Sequence, residues 1–267
     1  MQSTGEIIKS LIKERVLETK VCDRCGEEYN VSEFYFNGEK KYTLDFCREC
    51  FKQDQDEQLR GEVQEGYKKH LKNKYNWLTI VPPETQYASF ENYEPKNDTQ
   101  KYALEASEDF AGNKTRNTTL FFQGDTGLGK THLAYSIHES FFNHLQSSVF
   151  IDLPSLLAEI RNTFNNPNRS QEKIMNAISE TDLFVLDDVG AEYVKPDANG
   201  YESWAADILF QIVNSRQGKK TIYTTNFTSK HLTKKYGMMS KRIISRMMSN
   251  AKVIKIEGED YRLKGLD

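Results

Sequence analysis

The sequence lacks long apolar runs and contains little proline. Stretches such as Leu183–Leu186 are far shorter than the roughly 20 residues of a membrane-spanning helix, and the mean hydropathy is −0.70. Only six of the 267 residues are proline and 12% are aromatic, which argues against wholesale disorder. The first residues carry charges where a secretion signal needs an unbroken apolar segment. We therefore expect a cytoplasmic protein. At about 150 residues per domain, its length predicts one large domain and one small one.

Cysteine is absent after position 50. The four cysteines form two Cys-x-x-Cys pairs with 21 residues between them: Cys22, Cys25, Cys47 and Cys50. This pattern is typical of a structural Zn²⁺ site, in which four thiolates leave no open coordination position. The segment between the pairs alternates aromatic and polar residues around Asn37-Gly38, which predicts a hairpin in a zinc ribbon. Two disulfides or unrelated thiols are the alternatives, and a reducing cytosol disfavours disulfides.

Acidic and basic residues nearly cancel over the whole chain but not within its parts. The net charge is −3 overall, −1 over residues 1–75, −11 over residues 76–214 and +9 over residues 215–267. A basic last fifth indicates an anionic partner. Charge alone leaves three choices, which are phosphate, nucleic acid and an acidic neighbouring subunit.

Three regions follow one another along the chain. Residues 1–55 are predicted to hold an N-terminal helix and the zinc ribbon, residues 56–84 a charged linker and an arm, and residues 85–267 a large domain. The linker is expected to be helical in part. The N-terminal helix, over residues 4–19, is predicted because apolar residues recur there at helical spacing. These are Ile7, Ile8, Leu11, Ile12 and Val16.

Helical and extended patterns alternate from about residue 98 onward. Such alternation predicts βαβ units, and hence an α/β fold with a parallel sheet covered by helices on both faces. The predicted strands are Thr119–Phe122, Ser148–Asp152, Leu183–Leu186, Thr221–Thr225 and Lys252–Ile256. The predicted helices are Thr99–Ala111, Thr131–Leu145, Pro154–Phe164, Gln171–Ser179, Tyr201–Arg216, Ser229–Tyr236 and Ser240–Met248.

A glycine-rich turn lies between the first of these strands and the helix that follows it. It matches the phosphate-binding loop G-x-x-x-x-G-K-[ST]. Its residues are Gly124, Asp125, Thr126, Gly127, Leu128, Gly129, Lys130 and Thr131. In such loops backbone N–H groups and the lysine contact nucleotide phosphates, and the Ser/Thr hydroxyl binds Mg²⁺. We predict an ATP site that contains Mg²⁺; a glycine-rich turn without a ligand is the alternative.

Two carboxylates, Asp187 and Asp188, follow the apolar strand Leu183–Leu186. We predict that Asp187 belongs to the Mg²⁺ site and that Asp188 orients or deprotonates the attacking water; a plain strand-end turn is the alternative. Glu192 is a second candidate for the carboxylate near the water. Asn226, after the next strand, is predicted to sense the γ-phosphate and hold the water; a plain turn is the alternative. Because aspartate reaches less far than glutamate, we expect slow, switch-like hydrolysis.

Four segments together resemble a known family. GDTGLGKT, LFVLDDVG, TIYTTNF and IISRMM…VIKIEGEDYR resemble the AAA+ ATPases of the DnaC/DnaI replicative-helicase loader family, and the related IstB transposition helpers, over roughly residues 85–267. The N-terminal zinc ribbon resembles the DnaI type, whose N-terminal domain contacts the helicase. IstB-like chains usually lack such a ribbon, so the loader is favoured.

The resemblance implies roles for further residues. Asn226 matches the first sensor, and Arg246 matches the arginine finger that reaches the ATP of an adjacent subunit. Arg242, one turn earlier, resembles a helper, and Arg262 resembles a second-sensor arginine. For each of these three arginines a solvated surface cation is the alternative. Arg216 also fits the family pattern, without an assigned role.

Because only 41 residues follow Asn226, we expect no separate helical lid, which agrees with the lidless loaders. The adenine would then be covered by the arm around Phe90 and Tyr93. Loaders of this family also bind single-stranded DNA, for which basic and aromatic residues are candidates, each with ordinary polar surface as the alternative. These are Arg161, Asn165, Asn168, Arg169, Tyr193, Lys195 and Tyr201.

The resemblance as a whole implies a bacterial or phage ATPase that loads a hexameric replicative helicase onto single-stranded DNA. The N-terminal domain would bind the helicase, and the subunits would associate through their ATP sites. Two alternatives stay open, an IstB-like helper of a transposase and a zinc adaptor that binds nucleotide with little hydrolysis. A small-molecule kinase is disfavoured because the chain has no length for a lid and an acceptor site.

Overall fold

The computed structural model describes residues 12–36, 38–165, 170–193 and 204–263. The chain divides into two compact units, with the boundary between Gly66 and Tyr67. Among the described residues, no helix is both long and apolar enough to cross a membrane.

The first unit contains a three-stranded antiparallel sheet in the order β1-β2-β3. Strand β2 pairs with β3 up to Phe36 and Glu39, so only residues 37–38 connect them. This is the hairpin that the alternating pattern predicted. The two Cys-x-x-Cys pairs flank the β2–β3 hairpin, the first before β2 and the second after β3. The strands are Ile12–Val21, Glu28–Phe36 and Glu39–Leu44.

The predicted N-terminal helix is wrong over residues 12–19, which belong to strand β1; residues 4–11 lie outside the described residues. Strand β1 pairs with β2 along its whole length, with a bulge between Val16 and Glu18. Val16 is 50% exposed, so the apolar spacing does not reflect a buried helical face. The cross-strand hydrogen bonds and the β-branched residues Ile12, Val16 and Val21 outweigh the weak helical periodicity.

The charged segment after the ribbon forms one continuous helix, α1, over Arg48–Tyr75. The sequence predicted helix for only part of it. The helix has no proline and is rich in glutamate, glutamine and lysine, which are good helix formers. Cys50 in its first turn and Leu71 and Tyr75 near its end are buried, and residues 51–67 between them are exposed. The predicted boundaries at residues 55 and 84 remain predictions.

The second unit is built on a parallel five-stranded sheet in the order β5-β6-β7-β4-β8. Four of the strands are buried along most of their length, as their apolar sequences require. The edge strand β8 is partly exposed. The strands are β4 Thr119–Gln123, β5 Ser148–Asp152, β6 Leu183–Asp187, β7 Thr221–Thr225 and β8 Ala251–Lys255. The predicted α/β class is confirmed.

Helices cover both faces of this sheet. Buried side chains of α4 to α8 form one core on one face, and those of α2 and α3 form a second core on the other. The helices are α2 Asp98–Ala111, α3 Lys130–Asn143, α4 Leu153–Asn162, α5 Gln171–Glu180, α6 Trp204–Ser215, α7 Ser229–Tyr236 and α8 Ser240–Met247. Because the strands are parallel, the segments that follow β4, β6 and β7 meet at one edge of the sheet.

Candidate nucleotide site and metal centre

The four cysteines of the first unit converge on one point. Their sulfur atoms all lie within 4.8 Å of one another. The Sγ atoms of Cys22 and Cys50 are 3.6 Å apart, as are those of Cys25 and Cys47. Four sulfurs bound to Zn²⁺ at about 2.3 Å in a tetrahedron would be separated by about 3.8 Å. The distances therefore fit a metal ion, and no disulfide joins these four cysteines.

Electrostatics in this cluster also suit a cation. Backbone hydrogen bonds from Cys25 and Arg24 lower the pKa of the Cys22 thiol to about 7. Burial and the neighbouring thiols raise the pKa of Cys50 to about 12. Sulfur atoms held this close repel one another when ionised, and a divalent cation removes that repulsion.

The glycine-rich loop connects β4 to α3, which begins at Lys130. Gly127 and Gly129 have positive φ angles of 75° and 83°, which residues with a Cβ rarely adopt. Neither position has room for a side chain. A Cβ on Gly129 would lie 2.5 Å from the Tyr93 ring, and one on Gly127 would lie 1.6 Å from Asp260 Oδ1. The local backbone thus explains why this loop needs glycine.

Lys130 and Thr131 point into the loop and toward β6. The Lys130 side chain is 5% exposed, and its Nζ donates to the Asp125 carbonyl at 2.6 Å. Burial lowers its pKa, and Asp188 and Asp187 oppose that shift. Thr131 Oγ1 donates to Asp187 Oδ2 at 3.0 Å. The structure therefore brings the predicted lysine, hydroxyl and carboxylate together.

Asp187 is buried at the end of β6, with 2% exposure. Its carboxylate accepts hydrogen bonds from Thr131 Oγ1 and, at 2.5 Å, from Thr224 Oγ1. Burial raises its pKa to about 6, and the two hydroxyl groups oppose that shift. An oxygen ligand beside a threonine hydroxyl suits Mg²⁺.

Asp188 faces the cleft, whereas Glu192 does not. Asp188 has a left-handed backbone, with φ 52°, and it lines the cleft together with Asn226. Burial raises its pKa, and Lys130 opposes that shift. Glu192 Oε2 instead accepts a hydrogen bond from the Gly190 N–H at 3.0 Å. Glu192 is not one of the described residues that line the cleft, whereas Asp188 is.

The cleft itself has a volume of about 870 Å³. The glycine-rich loop forms one wall, and residues from the segments 84–100 and 258–262 form others. Both arm aromatics that the sequence suggested as an adenine cover pack against the second core, but of the two only Tyr93 also lines the cleft. Burial raises the Tyr93 pKa to about 12, so its hydroxyl stays protonated at neutral pH.

The predicted arginines fall into two groups. Arg262 lines the cleft, in a segment where the Tyr261 N–H donates to the Gly127 carbonyl at 3.1 Å. Arg246 is not among the described residues that line the cleft. Its guanidinium lies 4.9 Å from the Phe210 ring, and its Nε donates to Asn214 Oδ1 at 2.8 Å. Arg242 is exposed one turn earlier.

Arg216 has a structural position that the sequence did not reveal. It is 2% exposed, and burial lowers its pKa to about 10. Its guanidinium donates to the backbone carbonyls of Ile178, Thr181 and Lys220 at 2.9, 2.7 and 2.5 Å. The arginine thus ties the end of α5 to the segments that precede β6 and β7.

Only two side chains of the predicted DNA-contacting set are described. The Arg161 guanidinium lies 5.1 Å from the ring of Trp204, and Tyr193 is 83% exposed. Phe164, 59% exposed and in edge contact with Trp204, escaped the sequence prediction. Asn168, Arg169, Lys195, Tyr201 and the side chain of Asn165 lie outside the described residues.

The sheet order, the glycine-rich loop and the carboxylate strand define the second unit as a P-loop ATPase fold of the AAA+ class. Solved structures share this fold. A crystal structure of DnaI aligns with a TM-score of 0.56 and 23% identity over 68% of this chain and 94% of its own. A crystal structure of the DnaC helicase loader aligns with the same TM-score and identity over 66% of this chain and 100% of its own.

The chain belongs to the family of IstB-like ATP binding proteins, whose model matches residues 51–266. It is similar to the replicative helicase loader DnaC of Escherichia coli strain K12, with 29% identity over 186 residues, 68% of this chain and 72% of that protein. DnaC of Buchnera aphidicola subsp. Baizongia pistaciae is 30% identical over 181 residues, 66% of this chain and 70% of that protein. The family resemblance predicted from the motifs is confirmed.

Proposed function

We propose that this protein is an ATPase that loads a hexameric replicative helicase onto single-stranded DNA in replication initiation. Its second unit binds ATP between neighbouring subunits, and its zinc ribbon docks on the helicase. Hydrolysis, slow and switch-like, ends the loading step. The similarity to the DnaC loaders supports this choice within the family.

The observation that supports this proposal is that Arg246 lies outside the cleft of its own subunit. Lys130, Asp188, Asn226 and Arg262 surround one cleft, while Arg246 lies on α8 beside Phe210. An arginine that serves ATP hydrolysis from outside its own cleft acts on a neighbouring subunit. The ATP site is then complete only in an assembly, with Arg242 as a second basic group at the same interface.

Each residue of the cleft has a proposed task in hydrolysis. The backbone N–H groups of residues 124–131 bind the phosphates, and Lys130 neutralises the β- and γ-phosphates. Thr131 and Asp187 hold Mg²⁺, which neutralises charge on the phosphates when it is bound. Asp188 and Asn226 orient the attacking water, and Arg262 contacts the γ-phosphate from the same subunit. Tyr93 packs against the base.

The zinc ribbon is the proposed helicase contact because it lies outside the segment that matches the ATPase family. That match begins at residue 51, immediately after Cys50. A unit this small buries little apolar surface, so the metal stabilises its fold. DNA contact is assigned to the second unit, with Arg161 and Tyr193 as the described candidates.

Two measurements test this function. ATP turnover is compared for the wild type, Lys130→Ala and Arg246→Ala, with and without single-stranded DNA. Both variants are expected to lose most turnover, but only Lys130→Ala is expected to lose ATP binding. Wild-type activity in Arg246→Ala would contradict the shared site. Turnover near background in the wild type would favour the zinc adaptor that binds nucleotide with little hydrolysis.

A second candidate is a helper ATPase of a transposase, as the IstB-like family description suggests. Co-purification separates the two functions. The loader binds the hexameric replicative helicase of its own host in an ATP-dependent manner, whereas the helper binds a transposase. Loss of helicase binding on Cys47→Ser would further assign the contact to the ribbon.

A further inference from the structure

The turn after Asp188 lies between the nucleotide cleft and the helix pair that carries Arg246. At one end Asp188 lines the cleft, and its carbonyl accepts from the Ala191 N–H at 3.0 Å. At the other end Glu192 is buried, with 4% exposure. These five residues, 188–192, are called the carboxylate turn below.

The carboxylate turn packs against α7 without free space. Gly190 has a φ of 101°, and a Cβ there would lie 2.6 Å from the Phe227 ring and 2.9 Å from the Leu232 side chain. The Val189 N–H also donates to the Thr224 carbonyl at 2.8 Å. Because close-packed groups move together, a shift of the turn displaces α7.

Lys235 of α7 binds the carboxylate turn directly. Its Nζ donates to the Gly190 carbonyl at 2.6 Å and also to the Glu192 carbonyl. The same ammonium lies 3.9 Å from Glu192 Oε1. Glu192 Oε2 accepts from the Gly190 N–H within the turn. Glu192 therefore fixes the shape of the turn, and Lys235 attaches it to the helix.

Tyr236 of α7 lies beside Glu192 as well. Glu192 Oε1 and the Tyr236 hydroxyl are both buried and make no hydrogen bond of ordinary geometry among the described residues. The two groups nevertheless interact, because burial, the charge of Glu192 and a side-chain hydrogen bond to it raise the Tyr236 pKa. Two neighbouring residues of α7, Lys235 and Tyr236, therefore face the buried carboxylate of the turn.

Helix α7 ends at Tyr236, and a 3-10 turn over Gly237–Met239 connects it to α8, which carries Arg246. Leu232 and Tyr236 of α7 share one buried core with Ile243 and Met247 of α8. We propose that Glu192 and Lys235 are positioning residues that transmit the state of the nucleotide cleft to Arg246. A nucleotide that moves Asp188 would thereby change how Arg246 is presented to the next subunit. The inference rests on the proposed role of Arg246 in trans.

Steady-state ATP turnover gives the first test. Glu192→Gln and Lys235→Met are expected to lower kcat by roughly 3- to 30-fold, as is typical of residues that carry coupling between sites. KM is expected to stay within about twofold, because neither residue lines the cleft. Lys235→Arg, which keeps the cation, is expected to recover part of the loss. The control is Lys234→Met, an exposed lysine one position earlier; a loss there as large as in Lys235→Met would overturn the inference.

Mixing variant subunits gives the decisive test. Subunits with Lys130→Ala are first mixed with subunits with Arg246→Ala. The former keep an intact Arg246 and the latter keep an intact cleft, so ATP turnover should return. Glu192→Gln is then mixed with each of them. If Glu192 acts on Arg246 of its own subunit, the mixture with Lys130→Ala recovers turnover, because that partner presents an intact Arg246 to the cleft of the Glu192→Gln subunit. The mixture with Arg246→Ala then does not recover.

The opposite pattern would overturn the inference. Recovery of Glu192→Gln with Arg246→Ala, but not with Lys130→Ala, would mean that Glu192 serves only its own cleft. If the mixture of Lys130→Ala and Arg246→Ala subunits shows no recovery of ATP turnover, the proposed site shared between subunits is contradicted. The inference, which depends on it, then fails as well. The two failures are therefore distinguishable.

Discussion

Thr224 on β7 fixes Asp187 at the end of β6 through a hydrogen bond of 2.5 Å from its hydroxyl to Asp187 Oδ1. The same hydroxyl oxygen accepts from the Asp188 N–H at 2.9 Å. One side chain on the neighbouring strand thus holds the Asp187 carboxylate and the backbone of Asp188.

Thr224→Val is expected to lower ATP turnover strongly and the free energy of unfolding by about 1–3 kcal/mol, since a buried acceptor loses its donor. Thr224→Ser keeps the hydroxyl and should retain most of both. Chemical denaturation and steady-state turnover check the prediction. Unchanged turnover in the valine variant would show that Thr224 does not orient these carboxylates.

Tyr93, rather than Phe90, is expected to contact the base of the nucleotide. Tyr93→Ala should weaken ATP binding by roughly 3- to 10-fold, as loss of one aromatic contact predicts. Tyr87→Ala, at a residue that is 78% exposed, is the matched control and should bind normally. Phe90→Ala should lower stability more than affinity. Titration with a fluorescent ATP analogue measures the affinities, and equal binding by Tyr93→Ala and wild type would exclude the contact.

His138 makes the stability of the ATPase unit depend on pH. It is 3% exposed, its Nδ1 lies 2.6 Å from Ser148 Oγ, and burial lowers its pKa to about 3. The unfolded chain binds a proton near pH 6.5, whereas the folded chain does not, so stability is lost as pH falls below that value. Between pH 7.5 and 5.5 the loss is about 1.4 kcal/mol.

Denaturation at the two pH values checks this loss. His138→Gln should reduce the difference in unfolding free energy by that amount, whatever it does to stability at pH 7.5. His144→Gln, at an exposed histidine, serves as the control. If His138→Gln leaves the difference in unfolding free energy between the two pH values unchanged, the assignment of that difference to His138 is contradicted.

Zinc removal is expected to affect the first unit and spare the nucleotide site. Purified protein should contain one zinc per chain, and Cys47→Ser or a strong chelator should release it. The β1–β3 sheet should then lose its protection from hydrogen exchange, because metal binding stabilises so small a fold. ATP affinity should stay within roughly twofold, since the cleft residues belong to the second unit and the cysteines to the first. A large loss of ATP affinity would refute this independence.

Much of the second unit follows from local sequence signals. Its strands are continuous apolar runs, and its helices have a clear apolar face. The glycines of residues 124–131 allow the backbone conformation that this loop requires. The ends of β4, β6 and β7 then bring Lys130, Asp187 and Asn226 to one edge by topology alone. For this reason the sheet and the elements of the cleft could be predicted.

Features that depend on distant partners could not be predicted. Residues 12–19 have helical spacing, but pairing with β2 makes them a strand. Arg216 resembles any surface arginine, because its burial depends on carbonyl groups from separate segments. Phe90 and Tyr93 look alike in a segment without periodicity, and the structure distinguishes them only because Tyr93 lines the cleft. The attachment of Lys235 to the carboxylate turn likewise joins residues 43 to 45 positions apart.

Loading of a helicase onto circular single-stranded DNA, which has no free end, tests the proposed function most directly. The replicative helicase of the host is incubated with the circle, ATP and this protein, and the helicase that sediments with DNA is measured. We expect wild-type protein to place the helicase on the circle, and Lys130→Ala and Cys47→Ser to fail. Equal amounts of bound helicase with and without the protein would contradict the proposed function.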